Sequence, residues 1–456
     1  MVSSTERAPL SAWYALVVLT IVLLFATVDR AILSLLAEPV KNTLGLSDLQ
    51  LGLMQGTGIA VFAALAAFPI SWLADRYGRR LVLAVSVVIW SLAVVGCALA
   101  QNFTQMFFAT AMVGGGEAGL APITFALIAD LFHRRQRQLA NSVFVLASAA
   151  GGGLGMVLSG QLVTIVDVTR DVLPLALQDL ESWRLAFLYA AMPAPIMIVL
   201  IATIRAIRSA QSSETDNGDP VEAANGIGLG EHLRRHKKVL IPFIAGMGCC
   251  LFAFAAVGAW MPVILTRLFE ETPAEIGTAL GSISLLAMAG GFLFSAFGIK
   301  LLESRMGDRL QIRTMSITAS LCVCTSLAMI FAKSANQIYI IQAVQVLCLT
   351  AANMLFPTVL QNLAPSHLRA RVIAIQVTVN TGAGAAAAPL VGLVSDQIND
   401  PFGVLWAAGS FACVGLFCAS GLFLWCEKVG YVESIREINR DEFETPTNGT
   451  SAGETA

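Results

Sequence analysis

Twelve apolar runs, separated by short polar breaks, divide this chain of 456 residues. A helix needs roughly 20 apolar residues to cross the hydrocarbon core of a bilayer, and each run is close to that length. Hydrophobic residues make up 56% of the chain and charged residues only 13%, which leaves too little polar surface for a soluble protein of this size. The sequence therefore predicts an all-α integral membrane protein with twelve transmembrane helices.

The predicted spans form two groups of six. The first group covers 13–36, 51–73, 81–100, 106–129, 139–166 and 185–204, and the second covers 239–265, 276–298, 314–332, 337–360, 372–394 and 404–425. The break at 205–238 contains the polar run SSETDNGDP, which is typical of a linker. We therefore predict an N-terminal half at 1–204, a linker at 205–238, a C-terminal half at 239–426 and a polar, disordered tail at 427–456.

The positions of lysine and arginine predict the orientation. Of the 28 such residues, 22 lie on the segments that share a side with the N-terminus. Cationic loops are retained on the cytoplasmic side. We therefore expect both termini to be cytoplasmic in a multi-pass protein of the bacterial inner membrane. The net charge of -2 gives no reason to expect a nucleic-acid partner.

Three charged residues lie within the predicted spans at depths where charge is costly: Asp29, Arg30 and Glu117. Adjacent helical residues point about 100° apart, so Asp29 and Arg30 are not expected to pair with each other. Burial favours a neutral carboxyl group, and contact with water or a cation favours the charged form. Because the four histidines all lie in cytoplasmic segments, the sequence predicts Asp29 and Glu117 as proton carriers.

Enzyme chemistry finds no support in the sequence. No span contains histidine, and the chain has no nucleotide-binding GxxxxGK[ST], HExxH or GxSxG motif. The nine cysteines lie in or beside apolar runs and are interpreted as small buried hydrophobic residues. We expect no catalytic residues, no metal site and no cofactor.

Several short motifs resemble known transporters. The loop after span two resembles the inter-helix signature of the major facilitator superfamily at Ser71, Asp75, Arg76, Gly78, Arg79 and Arg80. Within that superfamily, the pairs and runs at 29–30, 114–118, 130–132 and 151–155 resemble the Spinster-type lipid transporters. The resemblance implies the major facilitator fold, with two six-helix halves and alternating access.

The resemblance also implies roles for particular residues. Asp75, with Arg76, Arg79 and Arg80, is expected to form a conformational gate in which the Asp75 carboxylate meets the N-terminal end of span eleven. Asp29, Arg30 and Glu117 are expected to share a charge network with position 110. The Spinster pattern has arginine there, whereas this chain has Thr110.

Small residues and neutral polar residues complete the candidates. Small residues allow close helix approach, and we expect moving interfaces between the halves at Gly151, Gly155, Gly277, Gly281, Gly384, Ala388 and Gly392. Aromatic and neutral polar side chains that could line a substrate cavity are Phe254, Trp260, Asn353, Phe356, Gln376, Asn380 and Thr381.

The leading hypothesis is a monomeric, proton-coupled secondary active transporter for lysolipid-like or sphingolipid-like amphipathic substrates. Its partners would be the substrate, protons and membrane lipids. An organic-anion or multidrug transporter of the same superfamily is one alternative, and a passive lipid scramblase is another.

Overall fold

The computed structural model describes residues 9–204, 228–294, 297, 309–365, 368–398 and 400–444. Within these residues, twelve helices are long and apolar enough to cross a membrane, which confirms the predicted number. Spans one to six are Leu10–Leu35, Asp48–Tyr77, Arg79–Leu99, Phe103–Leu131, Gln136–Val172 and Ser182–Thr203. Spans seven to twelve are Lys237–Phe269, Pro273–Leu293, Leu310–Ile330, Ala335–Asn362, Arg371–Gln397 and Gly403–Val429.

Twelve crossings return the chain to the side from which it started. We call the side where span one begins and span twelve ends the termini face, and the other side the far face. Short helices lie outside the spans at Ala37–Leu44, Leu175–Gln178, Leu229–Arg235 and Tyr431–Glu444. Most of the predicted linker, residues 205–227, lies outside the described residues.

Each half has its own hydrophobic core. One buried cluster contains side chains from 12–204 only. The other is built mainly from 239–435 and also takes in Leu35, Ala37 and Leu51 from the first half. Those three residues lie near the far face, so the two halves are packed together there.

Glycines bring spans two and eleven into backbone contact near the far face. A Cβ atom on Gly52 would lie 2.4 Å from the backbone oxygen of Ala388, and one on Gly392 would lie 2.2 Å from the backbone oxygen of Asp48. Real Cβ atoms do not approach this closely, so the packing requires glycine at both positions. A π-helical turn at Met54–Gly58 continues the contact, and the Thr57 hydroxyl donates to the Ala385 oxygen over 2.9 Å.

Spans five and eight meet near the same face through a different set of glycines. A Cβ on Gly277 would lie 2.6 Å from the Met156 oxygen, and one on Gly281 would lie 2.5 Å from the Gly153 oxygen. The expected interface at Gly277 and Gly281 is therefore present. Gly151 and Gly155 do not take part in it, because they lie on the opposite side of span five and contact Thr27 of span one.

Spans two and eleven separate toward the termini face. The contacts of span eleven with span two fall mostly on Asp48–Gly58, the far-face part of span two. Nearer the termini face, large apolar side chains of span two are exposed, with Leu65 at 68% and Phe68 at 80%. Val377 of span eleven and Leu286 of span eight are also exposed. The halves are thus closed at the far face and open at the termini face.

The tail prediction is wrong over part of its length. Residues Tyr431–Glu444 form a helix whose buried side chains are those of Tyr431, Val432, Ser434, Ile435 and Ile438, so one apolar stripe packs on the C-terminal half. Arg235 pairs with Glu437 across this contact. The overall polarity of the segment concealed an amphipathic pattern with helical spacing. Residues 445–456 lie outside the described residues.

Candidate functional site

Span one carries two adjacent charged residues that reach different partners. Nε of Arg30 donates a hydrogen bond to Oε2 of Glu117 in span four over 2.5 Å. Nε1 of Trp90 in span three donates to Oδ2 of Asp29 over 2.8 Å. Asp29 and Arg30 thus face different helices, as adjacent helical residues must. We call Asp29, Arg30, Trp90 and Glu117 the carboxylate cluster.

Both carboxylates of the carboxylate cluster are buried, whereas its guanidinium is open. The Glu117 side chain is 1% exposed and the Arg30 side chain is 56% exposed. Oε1 of Glu117 and Oδ1 of Asp29 make no hydrogen bond to any protein group that the structure describes. Each carboxylate therefore keeps one buried oxygen that can take a proton without losing a protein partner.

Glycine packing places Trp90 beside Asp29. A Cβ atom on Gly116 would lie 2.7 Å from the Cβ of Trp90 and 2.9 Å from its backbone nitrogen. Span three can therefore approach span four only because residue 116 lacks a side chain. The glycine run before Glu117 is part of the motif that resembles the Spinster-type transporters. Its last glycine, Gly116, allows the close packing of spans three and four beside Asp29 and Glu117.

Span five supports the same region of span one from the other side. A Cβ on Gly155 would lie 2.8 Å from the backbone oxygen of Thr27. The Ser159 hydroxyl lies within hydrogen-bond distance of two backbone oxygens, 3.0 Å from that of Val28 and 2.6 Å from that of Gly155. The backbone just before Asp29 is therefore held between spans five and three.

Thr110 lies on span four, two turns before Glu117. Its side chain is buried, and its hydroxyl donates to the backbone oxygen of Phe107 over 3.0 Å, within its own helix. The cation that meets Glu117 is Arg30 of span one. Replacing the arginine of the Spinster pattern by Thr110 therefore leaves Glu117 with a cationic partner.

The loop after span two contacts the N-terminal half. Gly78 has φ +98°, a conformation that favours glycine, and it lets the chain turn directly into span three. Arg79 pairs with Asp130 at the end of span four and also donates to the Ala126 oxygen over 3.0 Å. The Asp75 side chain is 73% exposed and lies 3.7 Å from Arg79.

The two remaining basic residues of this loop also have partners in the N-terminal half. Arg80 donates to the backbone oxygen of Ile204 at the end of span six. The Arg76 guanidinium lies 5.4 Å from the centre of the Trp72 ring. With the termini face open, the contacts of the four predicted gate residues are thus made within one half, and the contact of Asp75 with span eleven stays a prediction.

A second charged cluster joins the two halves at the far face. Arg267, near the end of span seven, lies 2.8 Å from Oε2 of Glu38 and 2.9 Å from Oδ1 of Asp48. Nζ of Lys41 lies 2.5 Å from the same Asp48 oxygen. The four side chains are between 4% and 21% exposed. We call them the far-face cluster.

Two residues of span eleven add three hydrogen bonds to the far-face cluster. The Asp396 carboxylate accepts hydrogen bonds from the backbone N–H groups of Asp48 and Leu49, each over 2.8 Å. The Ser395 hydroxyl donates to Oδ2 of Asp48 over 2.6 Å. Asp396 thus satisfies free N–H groups at the start of span two, where an acidic group is also favoured by the helix dipole.

Sequence reasoning missed the far-face cluster and also missed Trp90. Glu38 and Arg267 are 229 positions apart, so no local spacing connects them. One signal was available. Lys41 and Arg267 are basic residues at the far face, which carries few lysines and arginines. Basic residues that depart from this asymmetry can be expected to pair with an acidic residue.

The predicted substrate residues divide into exposed and buried groups. Phe254, Asn353 and Thr381 are exposed, and Phe356 and Asn380 are partly exposed. That these five line a substrate cavity between the halves stays a prediction.

Two of the predicted substrate residues are fully buried, so the expectation that they line a cavity is wrong for this conformation. Trp260 donates its indole N–H to the Ala388 oxygen over 3.1 Å, which fixes span seven against span eleven. Gln376 donates to the Ile244 oxygen and to Asn380, and both partners hold it inside the C-terminal half.

Known proteins resemble this chain along nearly its whole length. An MFS-type efflux pump of Mycolicibacterium smegmatis is 24% identical, and the match covers 95% of this chain and 97% of the pump. Protein spinster homolog 3 of Danio rerio is 24% identical over 87% of this chain and 79% of its own length. The sequence profile of the Major Facilitator Superfamily matches residues 19–389.

A solved structure has the same fold. It is the crystal structure of a bacterial homolog of the human lysosomal transporter Spinster, in an inward-facing and unoccupied conformation, with a TM-score of 0.73 and 19% identity. The match covers 96% of this chain and 99% of that one. With the twelve-span architecture and the profile match, this chain belongs to the Major Facilitator Superfamily, and it is a membrane transporter rather than an enzyme, with Spinster-type relatives.

Proposed function

We propose that this transporter couples proton movement to the transport of a single-chain amphipathic lipid, such as a lysolipid or a sphingoid compound, by alternating access. The observation that carries the proton-coupling part is the Arg30–Glu117 pair, in which a buried carboxylate meets an exposed guanidinium across 2.5 Å. Protonation of Glu117 removes the charge that holds Arg30, so one proton changes the link between spans one and four.

Asp29 supports this proposal as a second carboxylate next to the first. It shares span one with Arg30, and it is held by Trp90 rather than by a cation. Because Arg30 follows Asp29 in span one, a shift of the Arg30 side chain also changes the charge close to the Asp29 carboxyl group. The two buried carboxylates can therefore respond together as the opening between the halves changes sides.

We further propose that the two charged surfaces stabilise opposite conformations. The far-face cluster links the halves when the termini face is open. The loop around Asp75 would link them when the termini face is closed, through the N-terminal end of span eleven. In each conformation one of the two charged surfaces therefore links the halves. The charged residues of the other surface then make their contacts within a single half.

The orientation follows from the distribution of basic residues. We place both termini, the loop around Asp75 and the opening seen in this structure on the cytoplasmic side of a bacterial inner membrane. We propose that the transporter works as a monomer, since each half has its own hydrophobic core.

The amphipathic substrate is supported by similarity to the spinster proteins and by the mixed chemistry of the exposed and partly exposed candidate residues. Phe254 and Phe356, which we place in the opening, offer apolar surface, and Asn353, Asn380 and Thr381 offer neutral hydrogen-bonding groups. Similarity to an efflux pump favours a second candidate, an exporter of drugs or organic anions. A passive scramblase is a third candidate. The buried carboxylates disfavour it, because passive lipid movement requires no proton-binding group.

Uptake into proteoliposomes tests the proposal and separates the three candidates. Purified protein is reconstituted, and a panel of lysophospholipids, sphingoid bases and aromatic organic acids is offered with and without a pH gradient. The proposal predicts gradient-dependent accumulation of single-chain lipids. Accumulation of organic acids alone would favour the drug or anion exporter. Equilibration of two-chain lipids that ignores the gradient would favour the scramblase.

A further inference from the structure

Trp90 is the one member of the carboxylate cluster that cannot carry a charge. It is 1% exposed, and its Nε1 donates to Oδ2 of Asp29 over 2.8 Å. Among the residues that the structure describes, it is the only donor to the Asp29 side chain. An indole N–H can only donate, so its bond to an ionised carboxyl group is stronger than its bond to a protonated one. Trp90 therefore opposes protonation of Asp29 for as long as this bond is made.

Few titratable groups surround Asp29 and Glu117. The spans packed against spans one and four contain no charged residue and no histidine over 49–74, 81–100, 138–166, 185–204, 239–266 and 276–298. The titratable side chains that face Asp29 are Arg30 on its own span, Cys97 on span three and Glu117 on span four. Influence between the two carboxyl groups is thus limited to their direct repulsion, to Arg30 and to Trp90.

Span four is interrupted directly after Glu117. It consists of two helical segments, Phe103–Glu117 and Leu120–Leu131. Pro122 has no backbone N–H to donate to the oxygen of residue 118, and its ring crowds that oxygen. Glu117 is therefore the last residue of a segment that can tilt separately from the rest of the span.

The same segment packs directly on the backbone of Trp90. Gly116 lies so close to span three that a Cβ there would be 2.9 Å from the nitrogen and 3.0 Å from the Cα of Trp90. Close-packed contacts of this kind transmit displacement. A tilt of the segment thus moves Trp90, and with it the indole N–H that reaches Asp29.

These contacts form a closed path, which we call the coupling ring. Arg30 pairs with Glu117. Gly116, the neighbour of Glu117, packs on Trp90. Trp90 in turn holds Asp29, the neighbour of Arg30. A change at Glu117 therefore reaches Asp29 from both sides of the coupling ring.

We infer that Trp90 is a positioning residue through which protonation of Glu117 promotes protonation of Asp29. A proton on Oε1 of Glu117 removes the charge that holds Arg30, the segment Phe103–Glu117 tilts, and Trp90 withdraws its N–H from Asp29. Oδ1 of Asp29, which has no hydrogen-bond partner within the described structure, then takes the second proton. This inference rests on the proposed proton coupling and adds that the two protons bind cooperatively.

Direct repulsion between the two carboxylates has the opposite effect. A proton on Glu117 removes one negative charge, which makes the nearby Asp29 easier to ionise and harder to protonate. Two sites that only repel each other therefore bind protons with negative cooperativity. The sign of the cooperativity reveals whether the coupling ring or the repulsion dominates.

Infrared titration measures this cooperativity. Full-length protein in nanodiscs is titrated without substrate, and the bands of the two protonated carboxyl groups are assigned with Asp29→Asn and Glu117→Gln. The wild type should titrate with a Hill coefficient above one, with two as its limit. Trp90→Phe should lower the coefficient below one. Trp183→Phe, which loses a buried indole bond to the Thr43 hydroxyl, should leave it unchanged. A wild-type coefficient of one or less, an unchanged coefficient in W90F or an equal fall in W183F overturns the inference.

Further variants keep the test valid if W90F does not fold. Trp90→3-benzothienylalanine keeps the ring shape and replaces the N–H by sulfur, so it should lower the coefficient as W90F does. Gly116→Ala displaces Trp90 through the contact with its backbone and should also lower the coefficient. Gly115→Ala is the matched control, because a Cβ there lies at an ordinary 3.8 Å from its nearest neighbour. An unchanged coefficient in the benzothienyl variant, or equal effects of G116A and G115A, overturns the inference.

The titration separates the inference from the proposed function, because it needs neither substrate nor a pH gradient. Cooperative titration that depends on Trp90, without gradient-driven uptake, would support the coupling ring and reject proton-coupled transport. Gradient-driven uptake with the same Hill coefficient in the wild type and W90F would support the proposed function and reject the role of Trp90.

Discussion

Nε of Arg30 lies 2.5 Å from Oε2 of Glu117, and the two residues differ sharply in exposure, at 56% and 1% for their side chains. An ion pair with one buried partner is sensitive to protonation, since removing the carboxylate charge leaves a guanidinium that can move into solvent. Span one is thereby linked to span four by a contact that a single proton can break.

Trp90 should stabilise the folded protein through its bond to Asp29. Trp90→Phe removes the indole N–H and leaves a buried carboxyl oxygen without its donor, at a cost of about 1–3 kcal/mol for an unpaired buried polar group. Thermal unfolding in detergent should show a clear fall in Tm. The control is Trp183→Phe, which loses a bond from a buried indole to the neutral Thr43 hydroxyl. A Tm loss in W90F no larger than in W183F would count against a buried Asp29 oxygen that depends on the Trp90 N–H.

Arg267 should hold the far face closed. Arg267→Gln leaves Glu38 and Asp48 mostly buried without the cation that joins them to the other half, and removal of one partner from a fully buried pair costs about 3–5 kcal/mol. The population should shift toward conformations open at the far face, as measured by distances between spin labels on the two halves there.

Arg184→Gln is the matched control for that experiment. Arg184 also lies at the far face and pairs with Glu181, but its contacts stay within the N-terminal half. Its substitution should leave the distances unchanged. If both variants open the far face equally, the effect of R267Q is a general loss of packing.

Gly52 should be needed for closure of the far face for a steric reason. Gly52→Ala places a methyl group 2.4 Å from the backbone oxygen of Ala388, and neither backbone can yield without moving a helix. The far-face distances should lengthen, and transport should slow because one conformation is strained. Gly152→Ala is the control, because a Cβ there meets no atom within 4 Å. Normal far-face distances in G52A would contradict the steric account, because spans two and eleven would then accommodate the added methyl group without moving apart.

Asp75 should favour the conformation that is closed at the termini face. Asp75→Asn removes the charge proposed to meet the N-terminal end of span eleven, a contact worth roughly 0.3–2 kcal/mol. Labels across the termini face should report a larger open population. Asp171→Asn, an exposed acid at the far face, serves as the control. If D75N leaves the open population unchanged, the loop serves only as an anchor.

The fold could be predicted because each helix that crosses the bilayer must be apolar over about 20 residues, so that hydropathy alone identifies the spans. Few membrane-protein folds have twelve spans of suitable length, and the resemblance of the glycine-rich motifs reduced the number of possible folds further. The embedded charges Asp29, Arg30 and Glu117 were identifiable for the same reason, since charge at that depth needs an explanation.

The partners of these residues could not be predicted, because pairing depends on how helices rotate against each other. Trp90 is an ordinary apolar residue in the sequence until packing on Gly116 turns its N–H toward Asp29. The far-face cluster draws on residues from several spans and both halves. Trp260 was misassigned to the cavity, because an aromatic residue in span seven has the same local pattern whether it faces span eleven or the opening.

The most direct test of the central claim compares gradient-driven uptake with exchange in Glu117→Gln. This variant keeps the shape of residue 117 and removes its charge, and Glu181→Gln removes an acid outside the spans as a control. In proteoliposomes loaded with lysophosphatidylcholine, the account predicts that E117Q loses accumulation driven by a pH gradient, retains exchange of labelled for unlabelled substrate, and no longer responds to pH, whereas E181Q behaves as wild type. Accumulation by E117Q that still follows the pH gradient would contradict the assignment of Glu117 as the proton carrier.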